Sequence, residues 1–246
     1  RLLFLNDDAV WSTDGTAAGT RRVWARNCLS NGCSLPDLLQ PFLGKAVFTA
    51  RDSHGSELWW TDGTTAGTKR LTNVPEGSPV SGLVGSGRRF FFKGSTPHGD
   101  EVWVTDGRET RQATNTLRWA PGSEPTDLVA AGDRLFFQAC EGEYLGLWSS
   151  DGLPQTTVKV RDLFGSCGSR PFIYPTAVGR WLFFRSTVTW NQEQLWSTDG
   201  GEPVLLLNVL AGEDASLGSS LVAFQGRVLF SRGTGGARAT GGQPQR

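Results

Sequence analysis

A short pattern recurs five times along the chain and limits what it can fold into: an aliphatic residue, Trp, two further residues, then Asp-Gly. It reads Val10-Trp11-Ser12-Thr13-Asp14-Gly15, Leu58-Trp59-Trp60-Thr61-Asp62-Gly63, Val102-Trp103-Val104-Thr105-Asp106-Gly107, Leu147-Trp148-Ser149-Ser150-Asp151-Gly152 and Leu195-Trp196-Ser197-Thr198-Asp199-Gly200. The tryptophans stand at 11, 59, 103, 148 and 196, in steps of 48, 44, 45 and 48. A near-constant period of this size means one supersecondary unit repeated and stacked.

Three more short stretches accompany each copy. Upstream lies an aromatic run, clear in Arg89-Phe90-Phe91-Phe92, Arg134-Leu135-Phe136-Phe137 and Trp181-Leu182-Phe183-Phe184. Shorter forms are Leu2-Leu3-Phe4, Ala46-Val47-Phe48 and Val228-Leu229-Phe230. Before that run come a glycine and another apolar stretch, such as Thr126 to Ala130 or Ser219 to Ala223. After Asp-Gly comes a fourth stretch, such as Thr157-Val158-Lys159-Val160. All four, termed A to D, are too short for helices, rich in β-branched and aromatic residues, and bounded by turn formers. Four strands in roughly 45 residues is the mark of a β-propeller blade. The fold expected is therefore all-β, a propeller of five four-stranded blades, with a fragment of a larger propeller array as the alternative.

The Asp-Gly pair suits a tight hairpin between C and D. Gly accepts positive φ freely, and Asp tolerates it while bonding nearby amides. Asp14, Asp62, Asp106, Asp151 and Asp199 are thus expected as turn residues rather than metal ligands or catalytic acids. Trp11, Trp59, Trp103, Trp148 and Trp196 are expected to pack between blades.

Glu57-Leu58-Trp59-Trp60-Thr61-Asp62-Gly63-Thr64, with Ala66-Gly67-Thr68 downstream and His54-Gly55 upstream, resembles the ELWxxDGT repeat family. The likeness covers nearly the whole chain in five units. It loosens where Arg108 follows Asp106-Gly107 and where Gly201 follows Asp199-Gly200. It implies a propeller-like, exported or surface-associated bacterial protein, and it carries over no functional residue.

Residues 1–232 are expected to form one domain and the Gly-rich stretch 233–246 a flexible tail. The aromatic run occurs six times but the Trp motif five. Leu221 to Phe224 is expected to supply the A strand missing from the first unit and so close the ring. The chain begins without Met, so the lack of a leader bears nothing on export.

Function is expected on the face opposite the Asp-Gly turns, where the B–C and D–A loops vary from unit to unit. Trp24, Trp119, Tyr144, Tyr174 and Trp190 collect there, and exposed rings of this kind stack on sugars. Cys28, Cys33, Cys140 and Cys167 match no zinc spacing. Their placement predicts Cys28–Cys33 and Cys140–Cys167 disulfides, which suits an oxidising compartment.

With 24 basic and 24 acidic residues and no basic stripe, a nucleic-acid surface is not expected. No apolar run approaches the roughly 20 residues of a membrane-spanning helix. There is no nucleophile elbow, P-loop or H-E-x-x-H pattern. Neither His54 and His98 nor the acidic loop residues Asp7, Asp8, Asp100, Glu141 and Glu143 match a metal site. The expectation is a secreted or cell-surface, monomeric binding or adhesion module without enzymatic activity, cofactor or metal. Its partner would be a glycan or, as the alternative, an extracellular protein. A propeller glycoside hydrolase is the remaining reading.

Overall fold

The computed structural model describes residues 1–25, 36–52, 55–73, 80–96, 99–114, 124–167, 172–189, 192–209 and 217–232. Within these, 21 strands form six antiparallel sheets. The first has β1 (Leu2–Asn6), β2 (Ala9–Thr13) and β3 (Arg21–Ala25). The second has β4 (Asp37–Phe42), β5 (Lys45–Asp52), β6 (Gly55–Thr61) and β7 (Lys69–Arg70). The third has β8 (Ser81–Ser86), β9 (Arg89–Thr96), β10 (Gly99–Thr105) and β11 (Thr110–Gln112). The fourth has β12 (Thr126–Ala131), β13 (Arg134–Glu141), β14 (Tyr144–Ser150) and β15 (Val158–Ser166). The fifth has β16 (Phe172–Val178), β17 (Trp181–Thr189), β18 (Gln192–Thr198) and β19 (Val204–Val209). The sixth pairs β20 (Leu217–Phe224) with β21 (Arg227–Arg232).

In each four-stranded sheet the spatial order follows the chain, A to D. The register places the last Phe of each aromatic run opposite the motif Trp: Phe4 on Trp11, Phe48 on Trp59, Phe92 on Trp103, Phe137 on Trp148 and Phe184 on Trp196. Side chains alternate along a strand, so these pairs share one sheet face and the residues next to them point to the other. Both faces are apolar, and in the second to fifth sheets each packs on a neighbouring sheet.

Among the described residues the core is five separate clusters, each lying between consecutive sheets. Val10, Val23 and Trp24 meet Phe48 and Trp59. Val47, Leu58 and Trp60 meet Phe90, Phe92 and Trp103. Phe91, Val102 and Val104 meet Leu135, Phe137 and Trp148. Phe136, Leu145 and Leu147 meet Leu182, Phe184 and Trp196. Leu195 and Phe183 meet Leu221 and Val228. The motif Trp and its Phe therefore face the preceding sheet, and the aliphatic residue before the Trp faces the following one. Burying one such Phe contributes on the order of 1.5–3 kcal/mol.

The strand expected to complete the first unit does not join it. Leu221 to Phe224 lies in β20, which pairs with β21 and adds no strand to β1. Val222 lies opposite Leu229 and Phe224 opposite Arg227, so the last two stretches pair with each other as A and B of one unit. The adjacent Gln225-Gly226 turn makes that pairing local, whereas pairing with β1 would span the whole chain. Residues 233–246 lie outside the described set.

Candidate functional site

The five Asp-Gly turns have a common hydrogen-bond scheme. The Asp carboxylate accepts the amide two residues on: Thr16 to Asp14 at 3.0 Å, Thr64 to Asp62 at 2.9 Å, Arg108 to Asp106 at 2.8 Å, Leu153 to Asp151 at 3.1 Å and Gly201 to Asp199 at 3.4 Å. The hydroxyl just before the Asp accepts the Gly amide, from Thr13, Thr61, Thr105, Ser150 and Thr198. In the two fullest copies the threonine after the glycine also donates to the Asp. Gly19 and Gly67 lie so close to those carboxylates that a Cβ would stand 1.9 and 2.1 Å from them. These carboxylates are committed to backbone.

That commitment shifts their acidity. The Thr16 hydroxyl, then its amide, holds Asp14 below the ordinary carboxylate range, and Thr64 does the same to Asp62. The Glu109 and Arg108 amides lower Asp106. Burial opposes ionisation at Asp151, but hydrogen bonds from Thr156 and Leu153 outweigh it. A carboxylate with a depressed folded pKa stabilises the fold above its unfolded pKa, about pH 4, and ceases to as pH falls through the folded value. Denaturant midpoints should therefore be flat above about pH 5 and fall on further acidification. Asp62→Asn should make the acid limb shallower; an unchanged limb would remove Asp62 from it.

Sequence reading missed a groove beside these turns, between the second and third sheets. Its volume is about 850 Å³. Lys45, Lys69, Arg88, Arg89 and Arg108 line it against Asp62 and Asp106, with Leu43 and Trp60 as its apolar parts. The Lys45 ammonium sits 4.8 Å from the Trp60 ring centroid. Arg89 donates to the Asp151 carbonyl, while Lys45, Lys69, Arg88 and Arg108 are exposed. Balanced overall charge hid this local excess. The legible signal was the cation opening the second and third aromatic runs, Lys45 and Arg89, together with those flanking the Asp-Gly turns.

The opposite face is described mainly at the fourth sheet. There the β13–β14 hairpin presents Tyr144, 73% exposed, past a left-handed Gly142. A Cys140–Cys167 disulfide ties the hairpin base to the end of β15. The Lys159 ammonium lies 2.8 Å from Asp162 and 2.7 Å from Glu141. Hydrogen bonds to Asp162, then Glu141, raise the Lys159 pKa.

Of the other expected ring positions, Trp24 is the one whose side chain the structure describes. Trp24, expected on the surface, is buried instead, edge-on to Phe48 and Trp59 at 5.7 and 5.6 Å between centroids. Its strand pairs it with Val10, so its ring falls on the face packed against the second sheet. Trp119, Trp190, Cys28 and Cys33 lie outside the described residues, as does the side chain of Tyr174 in β16. Among the described residues no three His, Cys, Asp or Glu side chains converge as a metal site.

Solved structures place this arrangement. The chain is similar to the Dos1 propeller at 13% identity and a TM-score of 0.52, over 89% of this chain and 59% of that one. The fold is a β-propeller. Its blades are the sheets described above, and their number in a closed ring is not fixed by the likeness. The chain is also similar to a structure from a study of two prolyl endopeptidases, at 13% identity and a TM-score of 0.50. That likeness covers 91% of this chain and 34% of the other, so it concerns one part of a larger protein. No family model and no curated protein matches the sequence.

Proposed function

We propose that this propeller is an extracellular binding module that takes an acidic segment of a protein partner in the groove between blades 2 and 3. The observation that carries this reading is the groove lining: five cations against two acids, beside the apolar surface of Leu43 and Trp60. A carboxylate-bearing peptide with one apolar side chain would match both. The Cys140–Cys167 disulfide suits an oxidising compartment. No helix of the described residues is long and apolar enough to cross a membrane. A non-catalytic role accords with turn carboxylates already engaged by backbone amides.

Membership of the ELWxxDGT repeats belongs to the same reading. Glu57 accepts from the Thr72 hydroxyl, which itself accepts the Leu58 amide, and Glu101, Thr114 and Val102 repeat the scheme. The leading Glu thus has a structural role inside the blade. The carbohydrate reading loses Trp24 and keeps Tyr144 as its described exposed ring.

The test is a panel of acidic, neutral and basic peptides beside a glycan array. Acidic peptides should bind, more weakly as salt rises, because exposed charges are screened beyond about 8–10 Å at physiological ionic strength. Lys69→Glu with Arg108→Glu should weaken that binding at least about tenfold, and Tyr144→Ala should leave it unchanged. Glycan binding lost with Tyr144→Ala, or peptide binding indifferent to the groove charges, would overturn the reading.

A further inference from the structure

The groove differs at three matched positions from the next junction along the chain. In the second sheet Trp60 lies opposite Val47 on one side and Lys69 on the other. Lys45 stands two residues before Val47, so Lys45, Trp60 and Lys69 share the face turned to blade 3. In the third sheet Val104 lies opposite Phe91 and Arg111, with Arg89 two residues before Phe91. The two triads hold the same register, and each faces the Asp-Gly turn of the following blade.

In the third sheet both cations bond that turn. Arg89 donates to the Asp151 carbonyl, and the Arg111 guanidinium donates to the Gly152 carbonyl at 3.2 Å. Val104 is small enough to leave them the path. A Cβ on Gly152 would stand 3.2 Å from Val104.

At the groove an indole takes that space. A Cβ on Gly107 would stand 2.3 Å from the Trp60 ring. Phe42 meets the ring edge-on, 5.7 Å between centroids, and Lys45 lies over it. Among the described residues neither Lys45 nor Lys69 bonds the Asp106 or Gly107 carbonyl, and both are exposed.

This combination belongs to one unit. The residue after the motif Trp is Ser12, Val104, Ser149 or Ser197 in the other copies. In the fourth sheet Arg134 donates to Ser149 of its own sheet at 2.8 Å, and Val158 stands opposite Ser149 as Lys69 stands opposite Trp60.

We infer that Trp60 makes a paired-lysine carboxylate subsite within the groove. By standing between the two lysines and the Asp106-Gly107 turn, it leaves both ammoniums to a carboxylate of the acidic segment. The inference rests on the binding reading above; it adds which two cations hold the ligand and what keeps them available. Each ammonium is a point donor on a flexible stem, so two can converge on the oxygens of one carboxylate. The indole face attracts the Lys45 ammonium and limits where it can swing. Arg88 and Arg108 line the groove from the turns of blade 3 and add to its positive field. Besides its apolar surface, Trp60 is therefore a positioning residue that acts through Lys45 and Lys69.

Calorimetric titration of the whole chain with a short peptide of Glu and Leu tests this. Trp60→Val should cost at least about tenfold in affinity although all five cations remain, and Trp60→Phe should keep most of it. Lys45→Ala and Lys69→Ala should each cost at least about tenfold. Together they should cost less than the product of the two, because one carboxylate is shared. In the Trp60→Val chain the same lysine truncations should change little, because the lysines there bond the turn. Circular dichroism checks that each variant is folded. Trp60→Val that binds as the wild type does overturns the inference. If Trp60→Val does not fold, the lysine pair decides, and costs that multiply overturn it. A wild type that binds the peptide while failing these tests leaves the groove reading standing. A wild type that binds no acidic peptide removes that reading and this inference with it.

Discussion

Gly107→Ala is expected to lower the unfolding free energy by roughly 2–4 kcal/mol, and Gly15→Ala by roughly 1. Both glycines occupy left-handed backbone, with φ of 83° and 95°. An L-residue there costs about 1–2 kcal/mol on conformational grounds alone. The difference is the neighbour. At Gly107 the new methyl would stand 2.3 Å from the Trp60 ring, which is buried between blades 2 and 3. At Gly15 the space is open. Chemical denaturation of the two variants therefore separates the requirement of the turn from that of the contact between blades. Equal losses would mean that Trp60 yields and the contact carries no weight.

Phe92→Ala should cost about 3–5 kcal/mol, among the larger losses available to a single truncation. Its ring is fully buried, stacked on Trp103 at 6.5 Å and packed on the second blade. Phe4 holds the same register position and the same stacked Trp, but is half-buried and lies in none of the core clusters of the described residues. Phe4→Ala should cost about 1 kcal/mol, because little apolar area returns to water. Denaturation midpoints compare the pair. A Phe4→Ala loss as large as that of Phe92→Ala would mean that the first blade's outer face is already covered.

The blade was legible because its determinants are local. Phe48 opposite Trp59, the Asp62-Gly63 turn and the β6–β7 hairpin fall within about 25 residues, and strand alternation links them. Closure was not, because nothing short-range distinguishes an A strand that joins β1 from one that pairs with β21. The repeats are near-equivalent, and only the three-dimensional path decides which edge each meets.

Trp24 and the basic groove escaped the sequence for a related reason. Trp24 looked like a loop aromatic because masses of polar sequence follow it, yet its pairing with Val10 turns the ring inward. The basic groove escaped notice because Lys45, Lys69, Arg88 and Arg108 come from separate turns of two blades. Seen along the chain, each is an ordinary surface charge balanced by acids elsewhere. Their meeting depends on the stacking of sheets, which the repeat period implies in number but not in facing residues.

Because each core cluster joins only consecutive sheets, stability in this chain is a sum of nearest-neighbour couplings rather than the property of one shared centre. Duplication of a unit of about 45 residues would add one interface and disturb none. Such a molecule can lengthen or shorten in evolution by whole units, and each unit's outward loops are free to diverge without renegotiating the packing of the rest.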